Sequence, residues 1–331
     1  MKILITSNYA PPHGGVATTV YYLAKYLSKN HEVSVASFEN GFSDLKQCTK
    51  IQFTGLKLLN DFLFLPWELF TLYFEIKKQD VIFVHTPYFV ISNVAALFGK
   101  LLGKRVICMS HGPIFIDWRN KLHLPFMNRM IDKWLFLNTE NKEFVEKYIS
   151  SIKPFAYISN GIESEQYKSN KPVTAVQKFI FVGRLEQEKG IEEFITIAKE
   201  FPSFQFGCIG DGAYKTKLEQ LPNVKCYGYL PHAKAIEIMS EYDCLLFPSH
   251  AESFGLAILE ARLLGLKIIT TNCNSNTNKL VGNGGIVVPI GDMHALRTAM
   301  KTIDSVTSPL ERDLQQYDWN EVIKEYERII F

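Results

Sequence analysis

No stretch of this 331-residue chain reaches the ~20 uninterrupted apolar residues that a membrane span requires. The opening MKILITS carries one lysine and a short apolar run, which marks a first strand rather than a secretory leader. No two of the six cysteines stand in CxxC spacing, and several lie in apolar runs such as VICMS and YDCLLF. Buried thiols in a reducing, cytoplasmic compartment are expected. Charge of one sign is scarce: the net is +2 and the pI near 8.1, too little to give a nucleic-acid footprint. GxGxxG is absent after the first strand, and no acidic residue follows at the distance a dinucleotide site needs. There is no Asp-x-Asp element to hold a divalent ion against a diphosphate. No carboxylate pair is arranged as in a glycosidase.

What is present is an alternation. KILITS, HEVSVASF, DVIFVHT, KRVICMSH, WLFLNT and FAYIS read as strands, with segments of helical period between them such as Val16, Val20, Leu23 and Leu27. The pattern restarts with KFIFVG, FQFGCIG, VKCYGYL, DCLLFPS, KIITTN and GIVVPI. Near-continuous apolar strands separated by helices predict parallel sheets covered on both faces. Two such halves predict an α/β chain of two doubly wound, Rossmann-like domains, at residues 1–165 and 175–312. The polar stretch 162–178 is the expected join. WNEVIKEYERIIF predicts a closing helix at about 313–331.

Open parallel sheets bind ligands at the carboxyl ends of their strands, so the strand-to-helix turns carry the most weight. Gly14-Gly15 in the first turn lets backbone approach a ligand, and the helix after it can meet an anion. A plain turn explains that pair equally well. In FVGRLEQEKG, Arg184 and Lys189 follow a strand closely enough to neutralise a diphosphate together. The alternative is a solvated loop paired with Glu186, Glu188, Glu192 and Glu193. The strongest signal is FPSHAESFGLAILEARLLG. Here Gly255 and Leu256 predict amides at a helix N-terminus, where phosphate is favoured by ~0.3–2 kcal/mol. Glu260, two turns on among apolar neighbours, suits the diol of a ribose, and Glu252 precedes the turn.

With FVGRLEQEKG, GDG at 210–212 and GYLPHAKAIEIMSEYDCLLFPSHAESFGLAILEA in order, the second half resembles the retaining glycosyltransferases of family four, of GT-B fold. HGGV at 13–16, HG at 111–112 and ISNGIE at 158–163 extend the resemblance over nearly the whole chain. It implies two domains facing across a cleft, the first on the acceptor side and the closing helix packing back on it. It implies that Arg184 and Lys189 hold the donor diphosphate and that Glu260 holds the ribose. Glu252 touches the transferred sugar, the amides of Gly255 and Leu256 meet the distal phosphate, and Tyr229 and Leu230 lie by the base. Gly14 and Gly15 join the donor site, and His111 stands near the reacting sugar. The implied reaction moves a hexose-type sugar from a nucleotide-diphosphate donor to a glycan or lipid-linked acceptor, with retention and without a metal or other cofactor. A nucleotide-sugar epimerase of similar fold and a non-catalytic sugar-nucleotide-binding subunit stay open as alternatives.

One segment points elsewhere. On PWELFTLYFEIKK, residues 66–78, Leu69, Leu72, Tyr73 and Ile76 fall on one helical face. Trp67, Phe70 and Phe74 fall on the other. Beside Lys77 and Lys78 this second face suits an anionic bilayer surface. A covering loop at 39–60 or another subunit is the competing explanation. LPFMNRMIDKW, with Met127, Met130, Ile131 and Trp134 opposite Arg129 and Lys133, is a second candidate for membrane contact.

Overall fold

Each strand-like run named above becomes a strand in the computed structural model, which describes residues 1–8, 14–58, 61–112, 117–167, 175–307 and 311–331. His13 of the glycine turn and positions 168–174 of the polar join lie outside the described residues. The chain divides into two compact units. Unit 1 takes Met1–Gly161 and Trp319–Phe331, and unit 2 takes Ile162–Asp318.

Unit 1 begins β1 (Lys2–Ser7), α1 (Gly14–Leu27), β2 (Glu32–Ser37) and β3 (Thr49–Gln52). A small antiparallel hairpin, β4 (Leu56–Leu58) and β5 (Asp61–Leu63), leads into α2 (Pro66–Lys77). Then come β6 (Val81–His85), α3 (Val90–Leu101), β7 (Arg105–Ser110) and α4 (Asp117–Met130). β8 (Lys133–Phe136), α5 (Thr139–Glu146) and β9 (Phe155–Tyr157) complete the run. The strands form a parallel seven-stranded sheet in the order β3-β2-β1-β6-β7-β8-β9.

The period of two along these strands decides which layer each residue enters. Ile82, Val84, Val106 and Cys108 join a core with Leu72 and Ile76 of α2, Ile91 and Ala95 of α3, and Leu124 and Met127 of α4. Their neighbours Phe83 and Met109 point the other way, toward Tyr326 of α12 (Trp319–Ile330). α12 buries Trp319, Val322, Ile323, Tyr326 and Ile330, the positions its helical spacing marks. The Trp319 indole stacks on Tyr22 and Tyr26 of α1 at 5.9 and 5.8 Å.

The α4 segment corrects the second membrane expectation. Met127, Ile131 and Trp134 are fully buried, and Met130 packs partly against the same core. Met127 and Met130 belong to α4, whereas Ile131 follows the helix and Trp134 is already on β8, so the segment turns from helix to strand inside the core of unit 1.

Unit 2 repeats the plan with β10 (Lys178–Val182), α6 (Ile191–Glu200), β11 (Gln205–Ile209) and α7 (Lys215–Glu219). It continues through β12 (Val224–Gly228), α8 (His232–Met239), β13 (Cys244–Phe247) and α9 (Leu256–Leu263). β14 (Lys267–Thr271), α10 (Thr277–Val281), β15 (Gly285–Val288) and α11 (Met293–Thr302) close it. Its six strands are parallel, in the order β12-β11-β10-β13-β14-β15. All six cysteines are free thiols, and Cys208 and Cys226 touch across β11 and β12.

Candidate active site

In each sheet the strand order reverses once, between β1 and β6 in unit 1 and between β10 and β13 in unit 2. Connections leave in opposite directions at such a point, which opens a crevice at the carboxyl ends of the two strands.

In unit 2 the loops after β10 and β13 are pulled together there. The His250 amide donates to the Glu188 carbonyl at 2.9 Å. Gly190 sits at φ +70°, and a Cβ on it would lie 1.9 Å from the Pro248 carbonyl oxygen, so only glycine permits the approach. This contact delivers Lys189 to Glu252. The Lys189 ammonium donates to Glu252 Oε1 at 2.7 Å and to the Ala251 carbonyl at 2.9 Å. Ser249 Oγ donates to the same Glu252 oxygen at 3.0 Å, and Asn274 Nδ2 holds the Glu252 carbonyl at 2.8 Å. The two charged side chains are 16% and 14% exposed, so the pair is recessed yet reachable from solvent. Arg184 follows the same strand but stands in the open, paired with Glu188. That is one of the partners its loop alternative supplies, and a phosphate would have to displace it.

Gly255 caps α9 at φ +102°, a left-handed backbone that favours glycine. The first amides of the helix, which have no intrahelical acceptor, are thereby presented at the same edge. Glu260 follows on α9. Its Oε1 accepts from His232 Nε2 at 2.8 Å and from the Tyr167 hydroxyl at 3.4 Å. The Glu260 carboxylate raises the His232 pKa above the usual imidazole value. Tyr229, exposed, and Leu230, half-buried, lie in the turn between β12 and α8.

The remaining named residues belong to unit 1. Gly14 and Gly15 open α1, and a Cβ on Gly15 would meet nothing within 4 Å. Thr19 Oγ1 returns to the Gly15 carbonyl at 2.9 Å. His111 follows β7 directly and is 9% exposed. Its Nε2 meets Nδ1 of His85, the last residue of β6, at 2.8 Å, with the rings stacked 5.1 Å apart. Burial pushes the His111 pKa down to about 3. Burial, and then the neighbouring His111, push His85 well below its usual value. Both rings are therefore neutral around pH 7, and one hydrogen joins them. Thr86, next in the chain, is the one non-glycine residue among those described that is held at positive φ (+64°), a local strain of the kind found at functional edges.

Sequence reasoning missed His85, Tyr167 and His232. For His85 a signal existed: VIFVH and VICMSH are two apolar strands each ending in histidine. His232 stands within the quoted GYLPHAK but touches Glu260 across 28 residues, a contact no spacing announces.

The α2 aromatics are open to solvent, with Trp67 62%, Phe70 66% and Phe74 55% exposed, while Leu72 and Ile76 are buried as the helical wheel requires. Among the described residues no helix is long and apolar enough to cross a membrane. No group of three His, Cys, Asp or Glu among them is arranged to hold a metal ion.

Comparison with known proteins identifies the family and the fold. Residues 163–317 match the family profile of Glycosyl transferases group 1, and residues 13–166 match that of Glycosyltransferase Family 4. One subunit of the phosphatidylinositol N-acetylglucosaminyltransferase of Arabidopsis thaliana is 23% identical over 99% of this chain and 81% of its own length. A glycogen synthase of Mycobacterium tuberculosis is 25% identical over 49% of this chain, which spans 43% of that enzyme. Among solved structures, Anabaena HepE in complex with UDP-glucose superposes with a TM-score of 0.81 at 19% identity, covering 99% of both chains. Sucrose-phosphate synthase from Thermosynechococcus elongatus gives 0.77 at 16% identity, covering 99% of this chain and 98% of its own. At these identities the structures speak for the shared two-domain α/β fold.

Proposed function

Because the chain belongs to the group 1 glycosyltransferases of family four, we propose that it transfers a hexose-type sugar, with retention, from a nucleoside-diphosphate donor to a glycan or lipid-linked acceptor. The observation that carries the reading is the recessed Lys189–Glu252 pair at the strand-order reversal of unit 2. In this reading Lys189 is the cation that meets the donor diphosphate near the α9 N-terminus, and Glu252 the carboxylate that meets the sugar.

In the reaction so read, the bond from C1 to the diphosphate oxygen breaks and the acceptor oxygen bonds C1 from the same face. The acceptor proton passes to the departing phosphate. Lys189, Arg184 and the Gly255 and Leu256 amides meet the growing negative charge as fixed positive potential. Glu260 takes the ribose hydroxyls, and Tyr229 and Leu230 flank the base. Gly14 and Gly15 give backbone room to the donor. His111 serves as a neutral hydrogen-bonding group toward the sugar rather than a proton relay, since its pKa is far below neutrality. The positive charge comes from side chains, so the reaction needs no divalent metal. The exposed Trp67–Phe70–Phe74 face adds peripheral contact with the cytoplasmic face of an anionic membrane, where a lipid-linked acceptor would reside.

The test is a thermal-shift panel of UDP-, GDP-, ADP- and TDP-sugars, beginning with UDP-glucose because HepE binds it. A donor at a hundredfold excess over its Kd stabilises by about 2.7 kcal/mol. The donor that raises the melting temperature should then release free nucleoside diphosphate when a saccharide acceptor is added, with equal rates with and without EDTA. If no nucleotide sugar shifts the transition, the reading fails. Loss of turnover in EDTA that manganese or magnesium restores overturns the metal-free part.

A further inference from the structure

Glu260 is held from one side. Both side-chain hydrogen bonds it receives among the described residues, from His232 at 2.8 Å and Tyr167 at 3.4 Å, land on Oε1. Oε2 receives none there. A glutamate head group unanchored on a helix samples several rotamers, and ordering it costs free energy when a ligand arrives. A donor fixed on Oε1 removes that freedom in advance and aims the lone pairs of Oε2. His232 opens α8 just after the Tyr229–Leu230 turn, so one imidazole ties this turn to helix α9. The carboxylate is 13% exposed and the imidazole 46%, which leaves Glu260 recessed with its partner at the rim. Tyr167, buried at 8%, backs both groups.

Resting on the donor reading above, we propose that His232 is a positioning residue for ribose recognition. By holding Oε1 of Glu260 it presents Oε2 to the 2′- and 3′-hydroxyls of a ribonucleoside diphosphate, and so sets the preference for ribo- over 2′-deoxyribonucleotides. A carboxylate fixed in place gains a bond from each hydroxyl without first being ordered. A carboxylate free to swing gains less from the second hydroxyl, because it must give up its own rotamers to accept it.

The experiment is calorimetric binding of UDP, GDP and ADP, each beside its 2′-deoxy analogue, to wild type, His232→Phe, His232→Gln and Glu260→Ala. Wild type should favour the ribonucleotide of whichever base binds by about tenfold, the worth of one charge-assisted bond. His232→Phe should bring that ratio to within about threefold of unity, and His232→Gln, whose amide can still donate to Oε1, should restore most of it. A merely structural role would weaken both nucleotides alike and leave the ratio where it was. Should the Phe variant fail to fold, His232→Ala at the same half-exposed position gives the same readout. An unchanged ratio in His232→Phe, with the ratio collapsed in Glu260→Ala, overturns the assignment and leaves the donor reading standing. If Glu260→Ala keeps wild-type affinities, the ribose role of Glu260 fails and that of His232 falls with it; if no nucleotide of either sugar binds wild type, the donor reading itself fails.

Discussion

Unit 1 and unit 2 have the same architecture and reverse strand order at equivalent places, yet they furnish the two edges with opposite chemistry. At the edge of unit 1, where β6 and β7 end, stand two stacked imidazoles, buried and neutral, joined by one hydrogen bond. At the edge of unit 2 stand Lys189 against Glu252, Arg184 against Glu188 and His232 against Glu260, all at least partly solvated. Burying a charge without a partner costs several kcal/mol, so a dry edge is made of neutral polar groups. Ion pairs at a wet edge are weakly held and can exchange one anion for another. The fold supplies the crevice, and burial decides whether it can offer charge. In unit 2 Lys189 and Arg184 already have carboxylate partners, which an incoming phosphate would have to displace.

The largest expected effect breaks the charged edge. Arg184→Ala and Lys189→Ala each remove a charged contact to a charged ligand, ~1.5–3 kcal/mol, or roughly 10- to 150-fold in donor affinity. The double variant should lose at least about 100-fold in donor use while His111→Asn leaves binding of the sugar-free nucleotide near wild type. Wild-type donor affinity in the double variant would dissolve the contrast between the units.

Acid sharpens the neutral edge. His85 and His111 have depressed folded pKa values, so below the ordinary imidazole value the unfolded chain takes up protons that the folded one refuses. Stability then falls as pH drops from about 6.5 toward 3, by up to about 1.4 kcal/mol per pH unit for each ring. His232 gives the opposite sign, since an imidazole pKa raised by its hydrogen bond to Glu260 adds stability at low pH that is lost as pH rises through it. Urea unfolding between pH 7 and 4.5 should show a shallower acid loss in His85→Gln, His111→Gln than in wild type. Equal slopes would mean that both rings titrate freely in the fold.

The smallest effect concerns a surface that unit 1 has and unit 2 does not match. Wild type should co-sediment weakly with anionic vesicles at low salt, and Trp67→Ser, Phe70→Ser, Phe74→Ser should abolish this without lowering the melting temperature. One apolar face with few basic residues gives marginal, salt-sensitive binding. Wild type left in the supernatant removes the membrane from the proposal.

Much of this was legible in the residues. The apolar runs gave every strand of unit 2, because strands buried on both faces leave the plainest trace. They missed the β4–β5 hairpin and β3, whose TKIQ at the sheet edge buries only Ile51 and carries no alternation. Glu252 and Glu260 were found because eight residues with a glycine turn between them is a spacing that chemistry constrains. Their pairings were not, because Lys189 meets Glu252 across 63 residues and His232 meets Glu260 across 28. Those distances close only when the sheet is built. The α4 segment misled for a related reason: a stripe of Met127, Ile131 and Trp134 looks the same whether lipid or the chain's own sheet covers it.

The packing of α12 also bears on how the protein is made. Unit 2 is a single continuous stretch, whereas unit 1 needs Trp319–Phe331, which are synthesised after all of unit 2. Trp319 fills the space beside Gly161, where a Cβ would lie 2.5 Å from the indole, and Tyr326 closes over Phe83 and Met109. A ribosome that has delivered residues up to Asp318 therefore holds a complete second unit and a first unit with one face of its sheet uncovered. Order of emergence and order of completion are inverted. Until Trp319 stacks there, the Tyr22–Tyr26 face of α1 is open to solvent.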